Sequence, residues 1–257
     1  MTTKTLQLVA LAAVAVVAGC SGDDRAAETA LPPQAEVKAV AKTCVAGSRR
    51  PLGSERIAYA AVVERRAVAY REPGERPFHR FESRNANDVP NVLGVRAAIV
   101  GADCEPDWYH VQLPLRPNGI TGYVRAGDVW VGEVHTRIEV DLSERRVTLF
   151  RDGRAVLTAP AAVGTSATPT PTGTFYVNQR LIPEDTSGPF GPGAIGVSAF
   201  SDVLTGWAQG GPIAIHGTNQ PWTIGEAASN GCIRVRNDLL KRMFHATLAG
   251  TPVVISA

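Results

Sequence analysis

The stretch "IHGTNQPWTIGEAASNGCIRVRND", residues 215–238, holds one histidine and one cysteine, His216 and Cys232, sixteen positions apart. An imidazole beside a thiol is the minimum equipment for nucleophilic acyl transfer. A cysteine with the ordinary pKa of about 8.5 is only a few per cent thiolate at pH 7, so a histidine that takes its proton activates it. Attack on an amide carbonyl builds an oxyanion, which the backbone N–H groups of Gly231 and Cys232 are placed to receive. Gly217 and Gly231 let a substrate come close to the main chain. Taken alone, the same two residues fit a satisfied core histidine and an ordinary buried thiol at least as well.

Two other chemistries are poorly served. The remaining histidines (His79, His110, His135 and His245) are scattered, and neither a CxxC nor an HxxxH pair exists, so no metal site is read. In a papain-like protease the cysteine comes first and the histidine far downstream, the reverse of the order here. The net charge of +2, with no run of Lys or Arg longer than two, speaks against a nucleic-acid partner.

The elements that would carry the pair are strands. Apolar residues make up 44% of the 257, enough for a core, while 25 Gly and 18 Pro favour many short strands over long helices. "PIAIHG" reads as a strand with Ile213 and Ile215 on its core face, which turns His216 to the other face at the strand's end. "GCIRVR" reads as a second strand, with Ile233 and Val235 inward and Cys232, Arg234 and Arg236 outward. One cleft can then hold the thiol, the imidazole and two guanidinium groups.

Upstream, "RIEVDLSERRVTLFRDGRAVLTAPAAVG" contains three strand-like runs, with Asp152-Gly153 as a two-residue hairpin turn. "TPTPTGTFYV" is a stiff loop entering a strand over Thr174–Val177. The glycine-rich "TSGPFGPGAIGVSAF" lacks the pattern of a phosphate loop and reads as a loop near the site, followed by a strand from about Ala194 to Phe200. One helix is signalled: Asn237 caps it, Leu239, Leu240, Met243, Phe244 and Leu248 share a face, and Gly250 and Pro252 close it. "TPVVIS" supplies a last strand. Between about Lys38 and Gly132 the chain is again short strands and turns, among them "AYAAVVERRAVAY", "VLGVRAAIV" and "DWYHVQLP".

The N-terminus, "MTTKTLQLVALAAVAVVAGC", has one Lys, an apolar run and small residues, as in a secretion signal. Its "VAGC" ending resembles the lipobox of bacterial lipoproteins, which implies cleavage before Cys20, lipid on that cysteine and a protein anchored at the outer face of a bacterial membrane. Residues 1–19 are then the signal and residues 20–37 a solvated tether. Export makes a disulfide between Cys44 and Cys104 plausible, the alternative being two buried thiols. Cys232 is left over.

Two further resemblances follow. "WYHVQL…GYVRAGDV" is similar to the end of a bacterial SH3-like module, which implies a small barrel over residues 38–133 that binds cell-wall peptides or braces an enzyme. "HGTN…SNGCIRVRN", with "PTPTGTFYV" and the "FRDGR" hairpin ahead of it, resembles the L,D-transpeptidase catalytic domain of the YkuD-type family, over residues 134–257. The implied fold is mainly β: an N-terminal SH3-like barrel, then a catalytic β-sandwich with one short helix near its C-terminus. The implied roles are Cys232 as nucleophile, His216 as base and the Gly217 carbonyl as the group that orients the imidazole. Arg234, Asn230 and Ser229 fall on the substrate side. Arg234 meets a carboxylate or makes a structural ion pair, and Ser229 serves the turn. Asn230 departs from the family, where many members carry a second histidine.

The implied activity is peptidoglycan cross-linking. A stem peptide would be held as a thioester and passed to an amine, with no metal or organic cofactor, and carbapenems would acylate the same thiol. An L,D-carboxypeptidase that uses water, or a wall-binding scaffold with a dead site, are the alternatives. The acceptor and the oligomeric state stay open.

Overall fold

The computed structural model describes residues 30–35, 44–206 and 211–257. Cys20, the expected signal and most of the expected tether lie outside these residues. The strands of the first sheet are β1 (Arg49–Pro51), β2 (Ala58–Val63), β3 (Arg66–Tyr70), β4 (Pro77–Glu82), β5 (Val92–Val100), β6 (Pro106–Gln112), β7 (Thr121–Arg125) and β8 (Val129–Val134). They pair in the order β4-β3-β7-β6-β5-β2-β8, with β1 added to β5, and the pairings are antiparallel. Ala67, Phe81, Leu93, Val111, Val124 and Val131 pack in one core, so the sheet curls around its own apolar face. Cys44 and Cys104 are joined in a disulfide that ties the chain ahead of β1 to the turn between β5 and β6.

The second sheet begins two residues after the first ends. Its elements are β9 (Thr136–Asp141), β10 (Arg146–Arg151), β11 (Arg154–Pro160), β13 (Gly173–Leu181), β14 (Ala194–Phe200), β15 (Pro212–His216), β17 (Ile233–Arg234) and β18 (Pro252–Ser256). The strand order is β11-β10-β9-β18-β13-β14-β15-β17. A separate parallel pair joins β12 (Val163–Gly164) to β16 (Ala227–Ser229). Strand β13 serves two partners. Its first half pairs with β18 and its second with β14, so two β layers wrap one core in the manner of a sandwich. Asp152 and Gly153 both take positive φ in the β10–β11 turn, as an Asp-Gly hairpin requires.

The single α-helix of the described residues, α1 (Asn237–Ala246), buries Leu240, Met243 and Phe244 in this core. Asn237 does not cap it. Arg236 occupies the cap position without a side-chain bond, and the Asn237 amide is used elsewhere.

The two sheets are docked firmly. Tyr176 of β13 lies against Gly94 of β5 and donates its hydroxyl to the Val92 carbonyl at 3.1 Å. Gln112 Nε2 donates to Thr174 O at 3.0 Å. Ala60, Val62, Val92, Val134 and Ala249 form a small apolar cluster at the junction.

Candidate active site

Strands β15 and β17 run parallel, with Ile215 beside Ile233 and His216 beside Arg234. Ile213, Ile215, Ile233 and Val235 are sealed in the core, so alternation sends His216, Cys232 and Arg234 to the opposite face. Cys232 is then the diagonal neighbour of His216 across the pair. The spacing of sixteen now has a physical reason. Two adjacent parallel strands need a crossover of a dozen or more residues, and residues 217–232 supply it.

The histidine is held from both sides. Its Nδ1–H donates to the Gly217 carbonyl oxygen at 2.6 Å, since a carbonyl can only accept, and this leaves the Nε2 lone pair for a proton. The ring is 4% exposed, and the half-exposed Phe190 ring lies over it with centroids 4.9 Å apart. Burial lowers the imidazole pKa to about 4, against the Gly217 bond, which raises it; the Arg234 charge lowers it further. Burial pushes the Cys232 thiol up, while a bond from the Ala214 backbone and the Arg234 charge pull it down. Burial thus favours the uncharged form of both groups, the imidazole and the thiol.

The loop behind the histidine is fixed by a residue read in sequence as a cap. Asn237 Oδ1 accepts the Thr218 N–H at 2.8 Å. A Cβ on Gly217 would collide with that oxygen and lie 2.8 Å from Pro192 Cδ, so only glycine fits there. The signal for Asn237 was present in its position just after the motif, but a polar residue ahead of a helix reads as a cap first.

The turn before the cysteine is held by its own hydrogen bonds. Ser229 is 2% exposed, and its hydroxyl donates to Cys232 O at 2.5 Å while accepting the Gly231 N–H at 3.1 Å. Ser229 thus closes the turn through its hydroxyl. The Gly231 N–H, expected to receive an oxyanion, is already engaged, because a buried turn must satisfy its own donors. Gly231 itself has φ +110, and its carbonyl accepts from Thr170 Oγ1 at 2.9 Å. Asn230 is exposed beside this turn.

Arg234 is anchored through its main chain, which exchanges two hydrogen bonds of 2.9 Å with Ala162. Its Nη1 donates to Gln220 Oε1 at 3.3 Å, and its buried Nε has no hydrogen-bond partner. Among the described residues no carboxylate forms an ion pair with it. Arg236 does not join the cleft: it is exposed and its Nε pairs with Asp238 at 3.4 Å. Among the described residues no group of three His, Cys, Asp or Glu side chains could hold a metal ion.

A thiol just ahead of β17, an imidazole held by a main-chain carbonyl and a guanidinium beside them are the groups that cysteine acyl transfer would use. Residues 135–255 match the family model of the L,D-transpeptidase catalytic domain, YkuD. The Bacillus subtilis protein YkuD, named as an L,D-transpeptidase, is 37% identical over 119 residues, 46% of this chain and 65% of that one. Its Bacillus licheniformis counterpart is 38% identical over 120 residues, 47% of this chain and 65% of that one. This chain thus spans just under two thirds of either relative. The solution structure of the catalytic domain of the Enterococcus faecium L,D-transpeptidase is 28% identical and covers 47% of this chain and 96% of that one, with a TM-score of 0.35.

Proposed function

We propose that this protein is an exported, lipid-anchored acyltransferase that cross-links peptidoglycan stem peptides through a thioester on Cys232. The observation that carries the reading is the held imidazole: His216 Nδ1–H is committed to the Gly217 carbonyl, and Cys232 sits diagonally across a parallel strand pair. The match of residues 135–255 to the L,D-transpeptidase catalytic domain supports the substrate class.

In this reading His216 Nε2 takes the Cys232 proton as sulfur attacks the carbonyl of a diamino-acid residue followed by a D-amino acid. The C–S bond forms, the oxyanion meets the Cys232 N–H, and the C–N bond breaks as the imidazolium protonates the departing amine. An amine from a second stem then attacks the thioester. Its proton passes through His216 to the leaving sulfur, and the thiol is restored. Arg234, whose charge acts on both Cys232 and His216, orders the site or meets a substrate carboxylate. The curled first sheet acts as an SH3-like module, and lipid on Cys20 holds the whole at the outer face of a membrane.

The test incubates the protein with a stem tetrapeptide, with and without an amine acceptor. Release of the terminal D-amino acid together with a cross-linked product, both lost in Cys232→Ala, is expected. Release without a cross-link would assign a carboxypeptidase, and turnover by Cys232→Ala would refute the thioester.

A further inference from the structure

Between the two sheets opens a groove of about 470 Å³ lined in part by Pro212, whose carbonyl oxygen lies 3.9 Å from Cys232 Sγ. Four consecutive residues of β4, 79–82, line it, so the groove runs along the outer edge of the terminal strand of the first sheet. An edge strand of this kind offers main-chain donors and acceptors to an extended peptide.

The opposite wall is built from amides. Gln179 Oε1 accepts from Asn85 Nδ2 and from Asn87 Nδ2, both at 2.9 Å, which bolts the loop after β4 to β13. Strand β13 carries a bulge here, because Val177 pairs with Val197 while Gln179 pairs with the next residue along β14, Gly196. The extra residue is Asn178, whose buried Oδ1 has no hydrogen-bond partner. Arg80 stands exposed at the groove's rim.

This wall is in line with the nucleophile. Gln179 is beside Gly196, Gly196 beside Ala214, and Cys232 precedes Ile233, the partner of Ile215. The row spans three strand spacings, about 14 Å, which about four residues of extended peptide would cover. Ala214 makes a low floor, and the Gln179 side chain lies over Gly196.

We propose that this groove is a peptide-binding subsite: a peptide arm continuing from the acyl group on Cys232 crosses Ala214, meets the amides of Asn85, Asn87, Asn178 and Gln179, and places a carboxylate at Arg80. The proposal rests on the acyl-transfer reading of Cys232 and gives the first sheet a part in choosing the substrate. Amide-lined walls and a strand edge suit a peptide better than a sugar. The aromatic rings at the groove offer no open face for a saccharide, since Phe81 is buried and Arg116 covers Phe200.

The test uses the full chain bearing Cys232→Ala, so that binding is read without turnover, and an anionic stem tetrapeptide as probe, titrated calorimetrically. Arg80→Glu is expected to weaken binding tenfold or more and Asn87→Ala severalfold. The same charge reversal at exposed Arg154 on β11, far along the other sheet, is expected to change nothing. Unchanged affinity in Arg80→Glu, or binding of an amino-sugar disaccharide in preference to the peptide, would overturn the subsite. Acylation of the wild-type thiol by a carbapenem is measured separately. Its absence would sink the thioester reading on which the subsite rests, whereas normal acylation with unchanged peptide affinity in Arg80→Glu would sink the groove alone.

Discussion

The two sheets are built from the same materials and differ in how their neighbours are connected. In the first, the pairings are antiparallel, and turns join neighbours in sequence such as β3–β4 and β5–β6–β7. In the second, β15 and β17 lie parallel, and the chain must travel through residues 217–232 to return. That detour lets a histidine at one strand's end and a cysteine before the next share a face without sharing a turn. Polar side chains of the first sheet find partners across the junction, as Gln112 does at Thr174 and Asn85 at Gln179. The parallel junction leaves a buried Arg234 Nε without a partner and a histidine whose Nε2 is uncommitted. Buried polar groups are normally satisfied, and the Arg234 Nε is an exception close to the thiol.

If the parallel junction holds the chemistry, damage there should cost rate, and damage to the antiparallel sheet should cost stability. The largest effect is expected from His216→Ala, which should slow acylation of Cys232 by about 10²–10⁴-fold, the range for losing a general base. Stopped-flow acylation kinetics measure it. In the first sheet, Cys44→Ser with Cys104→Ser should lower unfolding stability by roughly 4 kcal/mol, from a loop of 60 residues on the chain-entropy account, and leave the acylation rate within about twofold. Denaturant melts beside the same kinetics separate the two.

Acid sharpens the contrast. Folded His216, with a pKa of about 4, stays neutral where an unfolded histidine near 6.5 takes up a proton. Its contribution is intact above pH 6.5 and is lost as pH falls from 6.5 to 4, by up to about 3 kcal/mol below that window. Thermal melts over pH 4–7 should show His216→Gln removing more of the acid sensitivity than His110→Gln. Burial also lowers the His110 imidazole in the first sheet, but that ring is only part-buried. The smallest effects concern the rim of the site. Arg234→Ala should reduce the acylation rate about tenfold or more, as expected for a lost charged hydrogen bond, and exposed Asn230→Ala by less than about twofold. The reverse order would move substrate contact to the turn.

Much of this was legible in residues 194–256. The alternation of Ile213 and Ile215 against His216 showed which way the imidazole turns, and Asp152-Gly153 marked its hairpin. What stayed hidden depended on partners distant in sequence. Asn237 reads as a helix cap until the Thr218 N–H is found against it. The Gly231 N–H reads as an oxyanion donor until the Ser229 hydroxyl is found to hold it. The groove beside Pro212 needs Asn85 and Asn87 to meet Gln179 across more than ninety residues, and nothing in local patterning encodes that meeting.

The pairing of Cys232 with His216 is tested most directly by intact-protein mass spectrometry of the chain mixed with a carbapenem, whose strained ring offers a reactive carbonyl. The wild type should gain one acyl group, Cys232→Ala none, and His216→Ala the same group at a rate lower by the factor given above. Labelling of Cys232→Ala, or labelling of His216→Ala at the wild-type rate, would leave a core histidine beside a bystander thiol.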